Sequence, residues 1–328
     1  MTARPRVLVL AGGPDAERSV SIDSATSVAG ALGNHGVVDA ELRVIDAPDS
    51  LRDLPGDVVF PVLHGPWGEG GPLQDILERD GRPYVGARPT AARLCMDKLA
   101  AKLECARLGI RTASAALLNP RDARPSLDAP AVIKPVFEGS SVGLHLCRDD
   151  ASLRAACVDA AGAGRPMMIE RLIEGREITY GLVDRGNGLE PLPIIEIAAA
   201  SGTYDYEAKY DRDDTVYLMG PRAAPHADHA AVQRDALRLA EALGVRDLAR
   251  VDFMVDAAGR HWLLEINTMP GFTSHSLLPK AAAAEGVNMG ELCTGLCLLA
   301  MARHSSREPD PVETIPHGKS EETGIPKA

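Results

Sequence analysis

Arg250-Val-Asp-Phe-Met-Val255, Asp256-Ala-Ala-Gly259 and His261-Trp-Leu-Leu-Glu-Ile-Asn267 form the stretch whose reading decides the fold. Two apolar, β-rich runs flank a short turn ending in glycine, a pattern that predicts a β-hairpin. Side chains alternate faces along a strand, so Arg250 and Asp252 share one face, and Glu265 and Asn267 share one. Folding the hairpin about Ala257-Ala258 brings all four onto a single face. Two carboxylates and a carboxamide converging there repel unless a cation sits among them, and oxygen-only ligands select a hard ion such as Mg2+. A solvated polar face with a salt bridge to Arg250 is the competing reading.

Upstream, Lys134-Pro-Val-Phe-Glu-Gly-Ser-Ser-Val-Gly143 puts a lysine at the end of an apolar strand and then a loop of small residues. Small residues let backbone N–H groups approach phosphate oxygens, and the lysine adds a cation. A hairpin with a polar tip fits the same residues, and a Walker loop is absent. Glu170 and Glu177 flank Arg171 to Arg176. Acceptors there suit ribose hydroxyls or an adenine amino group, and equally suit an exposed acidic turn.

The start of the chain reads as strand, Gly-rich turn and helix: Arg6 to Leu10, then Ala11-Gly-Gly-Pro14, then Ala25, Val28, Ala29 and Leu32 at helical spacing. Further strands are expected at 42–45 and 58–63, which favours a parallel α/β lobe. Asp97 is a candidate N-cap for a helix whose apolar face is expected at Leu99, Leu103, Ala106 and Ile110. Short strands at 131–134, 144–147 and 167–170 suggest a second, α+β lobe. A later helix carries Val232, Ala236, Leu239, Ala240 and Leu243 on one face. The expected division is 1–93, 94–172 and 173–304, with a polar, disordered tail at 305–328.

Composition narrows the function class. Against 46 acidic residues stand 35 Lys and Arg, a net charge of −11, which argues against a phosphate-backbone binder and so against nucleic acid as a partner. No stretch has the length of apolar residues that spans a bilayer, and the first residues lack the features of a signal peptide. The six cysteines are scattered and read as reduced core thiols of a cytoplasmic protein.

Taken together, six blocks in order resemble the D-alanine–D-alanine ligases of the ATP-grasp superfamily. They are AGGPDAERSVSIDS (11–24), HGPWGEGG (64–71), the 134–143 loop, ERLIEGREIT (170–179), YDYEAKY (204–210) and RVDF through LLEINTMPGFTSHS (250–276). The resemblance covers about residues 7–300. It implies an ATP-grasp fold of mixed α/β and α+β class, with an N-terminal Rossmann-like lobe and two α+β lobes clasping ATP. The implied reaction joins two D-alanines through an acyl phosphate, for peptidoglycan precursor synthesis. It also implies roles. Lys98, Lys134 and Ser141 would serve the nucleotide phosphates, Glu170 the adenine side and Glu177 the ribose. Asp252, Glu265 and Asn267 would hold two Mg2+ ions, with Mn2+ as the alternative. Glu17 would receive the first amino group with His64 close by, and Ser140 and Tyr210 would close that site. Lys209, Ser276 and Leu277 would meet the second substrate, and Arg250 and the Gly271 N–H the tetrahedral oxyanion. The polar, aromatic 204–215 segment would be a closing lid, and a homodimer is expected.

One departure stands out: where the family usually has two acidic residues before glycine, this chain reads Glu69-Gly70-Gly71. The missing carboxylate is expected to loosen the support around His64. The 121–129 stretch is short and reads as a trimmed surface loop. Within the class, a ligase using another second substrate is the rival, although Lys209-Tyr210 favours amide formation. A nicotinamide-dependent oxidoreductase lacks the G-x-G-x-x-G that its phosphate turn needs, since the turn here reads Gly12-Gly-Pro-Asp-Ala-Glu17. A non-catalytic binding protein would not need the full metal and phosphate set.

Overall fold

The structure is a computed structural model that describes residues 3–119, 125–198 and 216–306. Three sheets organise it. The first is parallel, with β1 (Arg6–Gly12) between β2 (Asp39–Ile45) and β3 (Val58–Pro61). Helix α1 (Arg18–His35) crosses over from β1 and buries Val28 and Leu32 as its spacing predicted, ending on the left-handed Gly36. Short helices α2 (Gly65–Gly68), α3 (Pro72–Asp80) and α4 (Pro89–Met96) follow β3, and the expected break after residue 93 lies within α4.

The second sheet is antiparallel, in the order β4 (Ala115–Leu117), β7 (Met167–Arg171), β5 (Ala131–Pro135), β6 (His145–Cys147). Helix α6 (Asp150–Gly162) packs on it, capped by Asp149, whose side chain accepts from the Ser152 N–H. The third sheet runs β11 (Val216–Met219), β10 (Ile195–Ala198), β8 (Arg176–Asp184), β12 (Leu248–Val255), β13 (His261–Asn267), with β9 (Leu189–Pro191) beside β8. The helix His229–Ala242 lays Val232, Ala236, Leu239 and Ala240 into the core below it, as expected.

A single core joins the first and third lobes. Val7, Val9 and Phe60 pack in one cluster with Phe272, Leu277 and Leu296, and the Phe60 and Phe272 rings meet edge-on at 5.5 Å. The helix Met289–Ser305, which carries Cys293 and Cys297 buried on one face, packs directly on α1. This shared core holds the loop after β13 against the loops after β1 and β3.

The helix expected after Asp97 is α5 (Lys98–Leu108), and Asp97 caps it by accepting from the Leu99 and Ala100 N–H groups. Its buried face is only partly the expected one, for Ile110 just past its end is buried as expected. Lys98, Ala101, Lys102 and Cys105 point inward, while Leu103 is 73% exposed and Ala106 is exposed too. The reason lies in the lysines: their ammonium groups find buried acceptors in the cleft, and their methylene stems pack like apolar side chains. No helix among the described residues is long and apolar enough to cross a membrane.

Candidate active site

The hairpin quoted at the outset forms, with Arg250 opposite Asn267 and Asp252 opposite Glu265. Its near end pairs Val255 with His261, and the register shifts between Asp252 and Phe253. Had the Val255–His261 register continued, Asp252 would face Leu264, and Glu265 and Asn267 would turn to the opposite side. A β-bulge restores them to the face of Asp252. Arg250 reaches across that face: its Nη2 lies 2.9 Å from Asp252 Oδ2 and 3.9 Å from Glu265 Oε1. Asn267 Nδ2 stands 3.4 Å from Asp252 Oδ2.

On one side of this face opens a cavity of about 350 Å³. Lys98, Lys134, Ser141, Glu170, Glu177, Asp252 and Glu265 line it, with Leu172, Met254 and Leu264 adding apolar wall. Lys134 Nζ lies 2.5 Å from Glu170 Oε1, and Lys102 Nζ lies 2.7 Å from Oε2. The second contact is an ion pair by distance, not a well-angled hydrogen bond. Burial alone would raise the Glu170 carboxyl, but Lys134 and Lys102 outweigh it and hold it below the usual carboxylate range. Lys98 donates to the Glu138 carbonyl and lies 3.5 Å from Glu265 Oε2. Burial lowers its ammonium below the ordinary lysine value, and Glu265 opposes that shift. The loop between these lysines and the cleft is strained. Ser140 and Ser141 have φ of 49° and 58°, a conformation that costs a non-glycine residue about 1–2 kcal/mol and gathers at ligand-clamping segments.

A second, smaller cavity of about 50 Å³ lies across the same face. Glu17, His64, Ser140, Arg250, Asn267, Gly271, Ser276 and Leu277 line it, so every predicted site residue within the described range borders one cavity or the other. Tyr210 and Lys209, with the 204–215 segment expected as a lid, lie outside the described residues.

Each wall of this cavity has a local cause. Ser140 donates its hydroxyl to Glu17 from the 139–143 loop. Asp15 Oδ2 accepts from the Trp67 and Gly68 N–H groups at 2.8 and 3.1 Å, which sets α2 and its N-cap His64 beside the loop after β1. His64 Nδ1 lies 3.0 Å from the Met269 carbonyl, so Nδ1 carries the proton. Burial pushes the imidazole below its ordinary value, and with the proton on Nδ1 the Nε2 atom, buried with no hydrogen-bond partner among the described residues, is left as the acceptor. At Gly271 an added Cβ would stand 2.7 Å from Ser276 Oγ, so a side chain there would displace the Ser276 hydroxyl.

Sequence reasoning passed over two buried residues. Lys102 sits four residues after Lys98, a spacing that puts both on one helix face; that spacing was the available signal. Glu69 lies inside a matched block, beside the departure at Gly70. Glu69 is 6% exposed, and its carboxyl is pushed up to about 8 by burial and then by the charge of Glu17. The expected loosening at Gly70 has a steric counterpart: an added Cβ there would stand 2.3 Å from the Pro66 carbonyl oxygen, so the backbone leaves no room for a side chain.

The donor set on the hairpin face fits a hard cation. No group of three or more His, Cys, Asp or Glu side chains poised for a metal occurs among the described residues, and the set here is two carboxylates and a carboxamide. Its chemistry, oxygen only and facing a cleft with two lysines, suits Mg2+ shared with phosphate oxygens and not a softer ion.

Comparison with known proteins agrees with this geometry. The family model described as D-ala D-ala ligase C-terminus matches residues 112–297. A D-alanine–D-alanine ligase of Bordetella petrii is 41% identical over 299 residues, covering 89% of this chain and 90% of the relative. D-alanine–D-alanine ligase B of Chromobacterium violaceum is 40% identical, covering 88% and 95%. Among solved structures, a D-alanine–D-alanine ligase from Bacillus anthracis complexed with ATP superposes with a TM-score of 0.78 at 30% identity, covering 93% of this chain and 99% of that one. A VanG D-Ala:D-Ser ligase from Enterococcus faecalis gives 0.75 at 27%, covering 90% and 99%.

Proposed function

This chain belongs to the D-alanine–D-alanine ligase family, and from that membership we propose how its residues carry out the ATP-dependent joining of two D-alanines to D-alanyl-D-alanine. The observation that carries the reading is the hairpin face itself. Asp252 and Glu265 border the larger cavity while Arg250 and Asn267 border the smaller, so one strand pair addresses both a nucleotide and an amino acid.

ATP occupies the larger cavity in this reading. Lys98 and Lys134 meet its phosphates, Ser141 the phosphate loop side, Glu170 the adenine side and Glu177 the ribose. Asp252, Glu265 and Asn267 would hold Mg2+, which when bound neutralises charge on the phosphoryl oxygens. The first D-alanine lies in the smaller cavity, whose size suits a few water-sized groups and excludes bulky side chains. Its ammonium donates to Glu17 and to His64 Nε2. Its carboxylate attacks the γ-phosphorus, the bond from that phosphorus to the β,γ-bridging oxygen breaks, and ADP departs to leave an acyl phosphate. The amine of the second D-alanine, held by Ser276, Leu277 and Lys209, then attacks the acyl carbon and phosphate leaves. Arg250 and the Gly271 N–H stabilise the oxyanion, an effect worth about 3–4 kcal/mol per donor at comparable sites. Ser140 helps to close the site and keep water from the acyl phosphate.

The same proposal includes three lobes, each built on one of the three separate sheets, with the first boundary moved from 93 to the end of α4 at Met96 and the second kept between 172 and 173. It includes a cytoplasmic setting, where ATP is at hand, and a homodimer, to be tested by sedimentation velocity. Mass spectrometry of products decides the substrates. D-alanine with ATP and Mg2+ should give D-alanyl-D-alanine and ADP, with L-alanine inactive in the first position and D-lactate poor in the second. Efficient ADP release only with another amino acid pair would overturn the D-alanine assignment.

A further inference from the structure

Gly271 reaches the smaller cavity at the end of a loop that the N-terminal lobe grips at several points. Met269 is held on both sides of its backbone. Its N–H donates to Glu69 Oε2 at 3.1 Å, and its carbonyl accepts from His64 Nδ1 at 3.0 Å. The other oxygen of Glu69 accepts from the Gly65 N–H at 3.4 Å, which ties the carboxyl to the start of α2. Beyond Gly271, the Phe272 N–H donates to Ser24 Oγ of α1 at 3.1 Å. The backbone from Asn267 to Phe272 thus leaves the hairpin and is fastened to the first lobe before and after Gly271.

These fastenings have a chemical reading. Both hydrogen-bond partners of Glu69 are backbone N–H groups, so its carboxyl, which borders the smaller cavity, ties together the loops on either side of it. Holding the carbonyl of Met269 also sets the proton of His64 on Nδ1 and leaves Nε2 to accept in the cavity. A single peptide therefore couples the ring that faces the first amino acid to the loop that carries the Gly271 N–H.

We propose that Glu69 is a positioning residue: with His64 it clamps the Met269 peptide before Gly271, as Ser24 clamps the Phe272 N–H after it, and the clamp so formed sets where the Gly271 N–H meets the reacting carbonyl. The proposal rests on the ligase reading of the site. It also accounts for the tolerance of glycine at position 70, because the clamp needs one carboxylate and the backbone of Pro66 leaves no room for a second side chain.

The test starts from the full-length parent enzyme with D-alanine, ATP and Mg2+; if the parent forms no dipeptide, the ligase reading fails before the clamp is in question. Given parent activity, assayed above pH 8 where the parent carboxyl is ionised, Glu69→Gln keeps the size but turns an NH2 group against one of the two N–H donors. Its kcat should fall roughly 10- to 100-fold, the loss expected for a misplaced reacting group. Glu69 does not line the nucleotide cavity, so KM for ATP should stay within about twofold of the parent. Ser24→Ala, which frees the Phe272 N–H, should lower kcat in the same direction by less, and it decides the matter if Glu69→Gln does not fold. A merely structural role would lower the melting temperature and leave kcat per folded molecule unchanged. Parent-like kcat in folded Glu69→Gln, or in Ser24→Ala where Glu69→Gln cannot be prepared, overturns the clamp.

Discussion

Lys134 Nζ and Glu170 Oε1 lie 2.5 Å apart at the floor of the larger cavity, both almost wholly buried. This pair presents the lysine to the cleft while Lys102 neutralises the other carboxylate oxygen from behind. Removing the cation should therefore weaken nucleotide binding without leaving Glu170 unpaired. Lys134→Ala should raise the Kd for ATP by about 10- to 100-fold, the worth of a charge-assisted hydrogen bond. Calorimetry giving the parent's affinity would count against Lys134 as a phosphate partner.

Lys102 should behave oppositely. It does not line the cavity, so its loss is felt first as stability. Lys102→Met leaves a buried carboxylate with one partner fewer and should cost about 3–5 kcal/mol, the range for breaking a buried pair. Denaturant unfolding reads this directly, and a midpoint equal to the parent's would mean that Lys102 contributes nothing to the floor.

The oxygen set on the hairpin should be needed for turnover and not for folding. Glu265→Gln and Asn267→Ala should each remove most activity while circular dichroism stays that of the parent. The concentration of Mg2+ giving half-maximal rate should rise in any residual activity. Unchanged turnover at saturating Mg2+ in both variants would end the metal assignment.

Glu69 should leave a mark on the pH dependence of stability. Its folded pKa is raised from 4.5 to about 8, so the folded state holds this proton more tightly than the unfolded chain. The resulting stabilisation is complete below the ordinary carboxylate value and is lost as pH rises through about 8. Relative to Glu69→Gln, whose amide does not titrate, the parent should lose stability steadily between about pH 5 and 8. Unfolding free energies measured at several pH values should show that difference shrinking; a flat difference would contradict the raised pKa.

At position 70, restoring an acidic residue should do harm. The close Pro66 carbonyl must move to admit any side chain. Gly70→Asp should therefore lower stability by about 1–3 kcal/mol, the usual cost of overpacking, and should not raise turnover. A thermal melt at or above the parent's midpoint with higher kcat would show that the backbone yields there easily.

Much of this protein was legible in order and spacing alone. Short apolar, β-rich runs determined many of the strands, helical spacing determined the faces of α1 and of His229–Ala242, and six blocks in sequence determined the family resemblance. These are local signals, because a strand or helix face depends on neighbours within a few residues. The tertiary structure decided the rest. Which face of α5 is buried depended on acceptors supplied by β7 and β13, so an apolar stripe through Leu103 pointed the wrong way. The four-residue face of the hairpin was anticipated, yet it exists only because a bulge after Asp252 corrects a register that the turn would otherwise impose. The clamp on Met269 joins residues about 200 positions apart. Partnerships of that range leave no periodic trace in a sequence, since they depend on how lobes with separate sheets pack and not on what either segment prefers by itself.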